Sequence, residues 1–289
     1  VRVWHHRDFD GAESSIGPYL LGRHPSWDNE AMRELKGVAL FVARLLLVGV
    51  ILAVWEAAVR LKLVDAFFTS RPSAIFASFA EGLASGELLN HTGVTGAEMV
   101  AGWALGGALG IATGFLLGKF ESLNTLVDPI MYALNGLPRV ALAPLFILWF
   151  GIGFTSKVAI SASIVYFVCV FATYGGIRSV DHALVQAVRV LGATELQVNR
   201  KVVLPSCLPW IFSGLKVSVG MALIGAIVGE FIGARSGVGY YISHSASLFD
   251  TAGVFVGVFL LMAMAVALNE LIKLAERRLL KWRPPAAEA

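Results

Sequence analysis

The sequence predicts an all-α, polytopic membrane protein with six transmembrane helices, and three observations predict it. First, 57 % of its 289 residues are apolar and only 15 % charged, against about 45–50 % and about 25 % in soluble domains. The mean hydropathy is +0.73. Second, the apolar residues gather into stretches of the length that a hydrocarbon core of about 30 Å demands, roughly 20 residues per helical crossing. Third, the basic residues alternate between sparse and dense connections. With the N-terminus placed in the cytosol, sixteen of the 23 Lys and Arg fall on cytosolic segments and five on outer ones, the asymmetry expected of an inserted protein with both ends inside. Disorder, a disulfide-stapled scaffold and a soluble enzyme are excluded.

The elements follow in order. Residues 1–37 are polar, contain no secretory-signal run, and read as an N-terminal cytoplasmic segment. Six apolar stretches come next, at about 38–59, 94–118, 129–151, 157–177, 208–233 and 252–272. They define a membrane domain over 38–275, followed by a cytoplasmic tail over 276–289. The first stretch carries Arg44 and Glu56. The third contains Pro138 and Pro144, each of which removes a helical hydrogen bond and predicts a broken span. Broken backbone at membrane depth is tolerated only beside protein or a polar cavity. Between the first two spans, Pro72 opens a segment in which Ile75, Phe76, Phe79 and Leu83 recur at helical spacing, and it is expected to rest on the outer interface. The tail mixes Leu271, Leu274 and Trp282 with Lys273, Arg277, Arg278, Lys281 and Arg283, the pattern of a snorkelling helix end.

Within the second span, Gly102, Gly106, Gly110, Gly114 and Gly118 recur every fourth residue. At 3.6 residues per turn this stripe stays on one slowly winding face and lets another helix approach closely. The partner is either a helix of the same subunit or a subunit interface. Glu230 lies deep in the fifth span, where a carboxylate costs on the order of 3 kcal/mol to insert. It therefore predicts a cavity, a subunit interface or a partner such as Lys216 or Arg235. The translocation path or its gate is expected along the broken third span (Asn135, Pro138, Pro144) and the fifth (Met221, Glu230), where Glu230 reads as a structural or gating hydrogen-bonding residue rather than a direct substrate contact. Cys169 and Cys207 sit in apolar surroundings and read as packing residues. The six histidines show no paired ligand spacing, so no metal is expected, and no nucleophile elbow, Walker-type phosphate loop or nucleic-acid motif occurs.

The segment 181–205, DHALVQAVRVLGATELQVNRKVVLP, connects spans four and five. Leu184, Val188 and Leu191 fall at helical spacing and Gly192 interrupts. Gln186-Ala187-Val188, three residues, Gly192, nine residues, Val202, one residue and Leu204-Pro205 resemble the EAA loop of ATP-binding-cassette (ABC) importer permeases. The departures are Gln186 for Glu, Val188 for Ala and Val202 for Ile. Leu137-Pro138-Arg139-Val140-Ala141-Leu142-Ala143-Pro144-Leu145 with Trp149-Phe150-Gly151-Ile152-Gly153, and Gly229-Glu230-Phe231 with Gly237-Val238-Gly239-Tyr240, are similar to the nitrate/sulfonate/taurine branch of that family, which also holds permeases for pyrimidine-type vitamin precursors. The similarity covers roughly 60–275.

The resemblance implies a type I importer permease of the bacterial inner membrane that is not itself an enzyme. It would move a small solute inward by alternating access. Gln186, Ala187, Val188, Leu191, Gly192, Glu195, Leu204 and Pro205 would form the coupling surface, with Ala187 and Gly192 allowing close approach. The partners implied are a second copy of the chain, two ATPase subunits that hold ATP and magnesium, an extracytoplasmic solute-binding protein and membrane lipid. No cofactor is implied in this chain. Two alternatives are a carrier driven by an ion gradient through Glu230, Arg44 or Glu56, and a membrane scaffold without transport.

Overall fold

The computed structural model describes residues 28–279. Its helices are α1 (Asp28–Arg60), α2 (Ala66–Thr69), α3 (Pro72–Ala84), α4 (Glu87–Lys119), α5 (Glu121–Gly136), α6 (Ala143–Phe150), α7 (Phe154–Arg178), α8 (His182–Val190), α9 (Glu195–Val198), α10 (Leu204–Gly233), α11 (Val238–Ser247) and α12 (Thr251–Leu279), with no strand among the described residues. Among the described residues five helices are long and apolar enough to cross a membrane, and there are six spans if the bent pair of 121–136 with 139–150 counts as one.

The chain divides into two compact units, Val1–Trp55 and Glu56–Ala289. In the first, α1 already runs through 28–37, the end of the segment that the sequence sets apart as polar. Every residue from 39 to 54 is exposed, as befits an apolar helix solvated by lipid.

In the second unit, α7 is the central helix, and α4 and α10 pack against it and against each other. The glycine stripe of α4 lies on α7, so its partner is a helix of the same chain. A Cβ on Gly114 would stand 2.5 Å from the Val170 carbonyl, and one on Gly110 would stand 2.8 Å from Cys169 Cβ. Bare backbone here replaces the hydrophobic drive that lipid removes, because dispersion grows as the axes close. An adjoining face of α7 receives α10, where a Cβ on Gly225 would meet Ser161 Cα at 2.5 Å. Ser161 Oγ donates to the Ala222 carbonyl at 3.0 Å, and Trp103 Nε1 donates to the Leu215 carbonyl at 3.1 Å. Buried Met99, Val165, Cys169, Val219, Ala222 and Leu268 fill the space between. Cys169 and Cys207 are both buried and free.

Four expectations need adjustment. The third span breaks once, at Leu137-Pro138, with a bend of 80°. Pro144 stands in the first turn of α6, where its missing N–H has no helical partner to lose. The second span is longer than its apolar core and begins at Glu87. The fifth is one 39-residue helix, Glu195–Gly233, in which a π-turn at Asn199–Val203 links α9 to α10. Pro205, which has no N–H to donate, sits just past that turn, and the wider turn accommodates the lost bond. The last helix runs to Leu279, and Lys281, Trp282 and Arg283 lie outside the described residues.

The Pro72 segment forms α3, which buries Ile75 and Gly82 and leaves Phe76 and Leu83 exposed. Its N-terminus is capped from outside the helix. Glu56 accepts the Ser73 N–H at 3.0 Å and the Ser73 hydroxyl at 2.8 Å, and pairs with Arg60 at 2.7 Å. Glu56 is therefore a capping carboxylate of the kind favoured at helix N-termini.

Candidate functional site

The loop between α7 and α10 is a closed helix–turn–helix. Asp181 caps α8 by accepting the Ala183 N–H at 2.8 Å. At the other end the Gly192 N–H reaches the Arg189 carbonyl at 2.9 Å and the Ala193 N–H reaches the Val188 carbonyl at 3.1 Å, the two bonds of a Schellman turn. That turn needs a left-handed residue, and Gly192 has φ +82°. No atom lies within 4 Å of a Cβ built on Gly192, so the requirement inside this chain is conformational rather than steric. Thr194 then opens α9 with a capping box, in which its hydroxyl accepts from Gln197 N and Gln197 Oε1 accepts from Thr194 N. Arg189 and Glu195 pair across the turn at 2.7 Å.

One face of this loop is fastened to the bundle and the other is bare. Val185 and Val188 pack against buried Val180, Val202, Cys207 and Ile211. Val190 is 87 % exposed, Leu191 85 % and Leu196 72 %. Leu184 and Leu191, expected on the same face as Val188, therefore point away from it. Val185 and Val188, three apart, form the inward face, and α8 ends at Val190 before Leu191 can join it. Gln186, Ala187, Gly192, Glu195 and Leu204 are exposed, and Pro205 is half-buried. The loop thus offers a preformed apolar surface on an element that Val185 and Val188 pack against the bundle.

The expected path residues do not come together. Asn135 is exposed, and its Oδ1 accepts from Arg139 Nη2 at 2.8 Å. Arg139 also donates to the Leu134 and Asn135 carbonyls and lies 4.1 Å over the Phe167 ring. An arginine thereby closes the C-terminal end of α5 at the break, as cations do at that end of a helix dipole. Pro138 and Pro144 are exposed, and Met221 lies 40 % exposed on the face of α10 that carries Val217 and Ile224. Glu230 is on another face and only 2 % exposed. Both its carboxylate oxygens are hydrogen-bonded inside the chain, as the structural or gating role expected of it requires.

Glu230 belongs to a buried polar cluster at the end of the bundle opposite the 181–203 loop. Its Oε1 accepts the Thr95 hydroxyl at 2.6 Å and its Oε2 accepts the Gly239 N–H at 2.5 Å. Thr95 Oγ1 accepts the Val238 N–H at 2.7 Å, and His91 Nδ1 accepts the Gly237 N–H at 3.0 Å. Beside Glu230, Glu98 pairs with Lys157 at 3.1 Å, both side chains being at least 94 % buried. A cavity of about 840 Å³ adjoins them, lined in part by Asn90, Glu98, Lys157, Arg235 and Ser236. Lys216, one expected partner of Glu230, instead pairs with Glu276 of α12. Glu98 and Lys157 belong to no motif of the sequence. Their signal was present, since a charge within or at the edge of an apolar span predicts a partner on another span.

Comparison with known proteins agrees with this architecture. Residues 106–281 match the family described as binding-protein-dependent transport system inner membrane component. The chain is 36 % identical over 264 residues to the putative aliphatic sulfonates transport permease protein SsuC of Bacillus subtilis, covering 91 % of this chain and 96 % of that one. It is 36 % identical over 193 residues to the formylaminopyrimidine transport permease protein ThiX of Halalkalibacterium halodurans, covering 67 % and 77 %. Among solved structures it shares its fold with a chain of the inward-facing MetNI methionine ABC transporter, at a TM-score of 0.58 and 21 % identity over 68 % of this chain and 96 % of that one. The chain therefore belongs to the family of inner-membrane components of binding-protein-dependent transport systems, as a non-enzymatic ABC importer permease whose ATP is used by a partner ATPase.

Proposed function

We propose that two copies of this chain enclose one solute path and that the 181–205 loop of each seats in an ATPase subunit on the cytosolic side. An extracytoplasmic binding protein delivers solute to the opposite face. The observation that carries this reading is the loop itself. Val190, Leu191 and Leu196 are bare to solvent on a turn whose other face is locked to α7 and α10. Large apolar side chains exposed on a rigid, capped element mark a protein docking surface. Rigid attachment is what a lever requires, since closure of the ATPase pair moves the spans only if the loop does not yield.

The cargo in this reading is a small organic solute, with aliphatic sulfonates first to test, because the sulfonate permease relative spans nearly the whole chain. The exposed face of α10 around Val217, Met221 and Ile224 is offered to the second copy and the path.

The test is uptake of labelled alkanesulfonate into vesicles holding the chain with its ATPase and binding protein. ATP-dependent uptake that disappears on Gly192→Trp supports the reading. Uptake driven by a proton gradient with the chain alone, or no uptake and no ATPase association, overturns it.

A further inference from the structure

We propose that Glu230 is a positioning residue that latches α11 to the long helix Glu195–Gly233, so that the coupling loop and the opposite face of the bundle move as one mechanical unit. The inference rests on the functional reading above and deepens it. Helix 195–233 is continuous through its π-turn for 39 residues, about 58 Å at 1.5 Å per residue. Its first turn holds Glu195, paired with Arg189 in the coupling loop. Its last turn holds Glu230.

Three consecutive backbone N–H groups lead into α11, those of Gly237, Val238 and Gly239. Each is held by a side chain from another helix: His91 and Thr95 of α4, and Glu230 of α10. Thr95 links the set, donating to Glu230 while accepting from Val238. The carboxylate is seated so closely that a Cβ on Gly239 would stand 2.7 Å from Glu230 Oε2. The Gly237-Val238-Gly239 run is therefore the backbone half of one contact. A charge-assisted bond in a water-poor site is strong and intolerant of displacement. Tilting α10 without α11 would leave a buried carboxylate and buried N–H groups unpaired. The cheaper motion carries α11 along. In that direction ATPase closure reshapes the far face, and in the other a binding protein arriving there is felt at the loop.

The test uses the full complex in nanodiscs, with permease, ATPase and binding protein, and reads the ratio of binding-protein-stimulated to basal ATP hydrolysis. Coupling free energies of about 1–3 kcal/mol correspond to about 5–150-fold, so Glu230→Ala is expected to cut that ratio by about tenfold. Glu230→Gln is expected to keep it. Its Oε1 still accepts from Gly239, and its amide can donate to Thr95 once that hydroxyl turns. Thr95→Val, nearly isosteric, removes the shared hydroxyl without opening a void and is expected to act like Glu230→Ala. Wild-type stimulation in both Glu230→Ala and Thr95→Val, in complexes that assemble, overturns the latch. A proportionate fall in basal and stimulated rates, leaving the ratio unchanged, overturns it as well. If the wild-type complex neither assembles nor responds to a binding protein, the underlying functional reading fails instead.

Discussion

Arg189 and Glu195 face each other across Gly192 at 2.7 Å, clasping the turn that projects Val190, Leu191 and Leu196 from the bundle. The clasp is solvent-exposed, and exposed pairs contribute at most about 1 kcal/mol. The Schellman turn and the capping box do more to set the shape. This division of labour orders what substitutions in the loop should do.

Gly192→Val forces a β-branched residue to φ +82°, which costs roughly 1–2 kcal/mol locally. Gly192→Asn occupies the same region with less strain. We expect ATPase association, measured by affinity capture in detergent, to be weakened by Val and largely kept by Asn. Equal loss with both residues would mean that the docking partner, and not the backbone, demands the missing side chain.

Leu191→Asp places a charge on a residue 85 % exposed. Permease folding and thermal stability should not change. ATPase affinity should fall by about 2 kcal/mol or more, the scale of an interface hot spot, or roughly 30-fold. Unchanged affinity in a titration with the purified ATPase would remove this surface from the coupling contact.

Gly110→Val collides with the Tyr166 carbonyl and Cys169 Cβ. Overpacking of a tight core costs about 1–3 kcal/mol and occasionally more, and backbone cannot move aside as a side chain would. Expression and melting temperature should drop sharply. Gly93→Ala on the same helix has nothing within 4 Å and should be silent. A silent Gly110→Val would contradict the α4–α7 contact.

Lys157→Met removes the ammonium paired with Glu98, which lies beside Glu230. Breaking a buried ion pair from one side costs about 3–5 kcal/mol. We expect a large loss of thermal stability that Glu98→Gln in the same chain restores in most part. A variant as stable as wild type would show that the pair is dispensable.

The α4 glycines were legible because a four-residue period needs no knowledge of the partner. That the partner is α7 was not legible, since Gly110 and Cys169 are 59 positions apart. Pro138 announced a break, but not its 80° bend nor the contacts of Arg139 with Asn135 and Phe167 that accompany it. Glu230 was visible as a costly charge with a hydrogen-bonding role to fill, but its surroundings were left open between a cavity, a subunit interface and a partner such as Lys216 or Arg235. Its hydrogen bonds go to Thr95, 135 positions away, and to the backbone of Gly239, which no side-chain pattern records.

The sequence by itself determined the solvent, the helical class, the number of spans and the loop at 181–205. These depend on local composition and on short fixed spacings, which each segment carries independently of the rest. Only the tertiary structure decided which helix faces receive each other, where Leu184 and Leu191 point, and which groups the Glu230 carboxylate meets. Those outcomes depend on pairings between distant segments, where buried charge and backbone must find whichever partner the packing brings near.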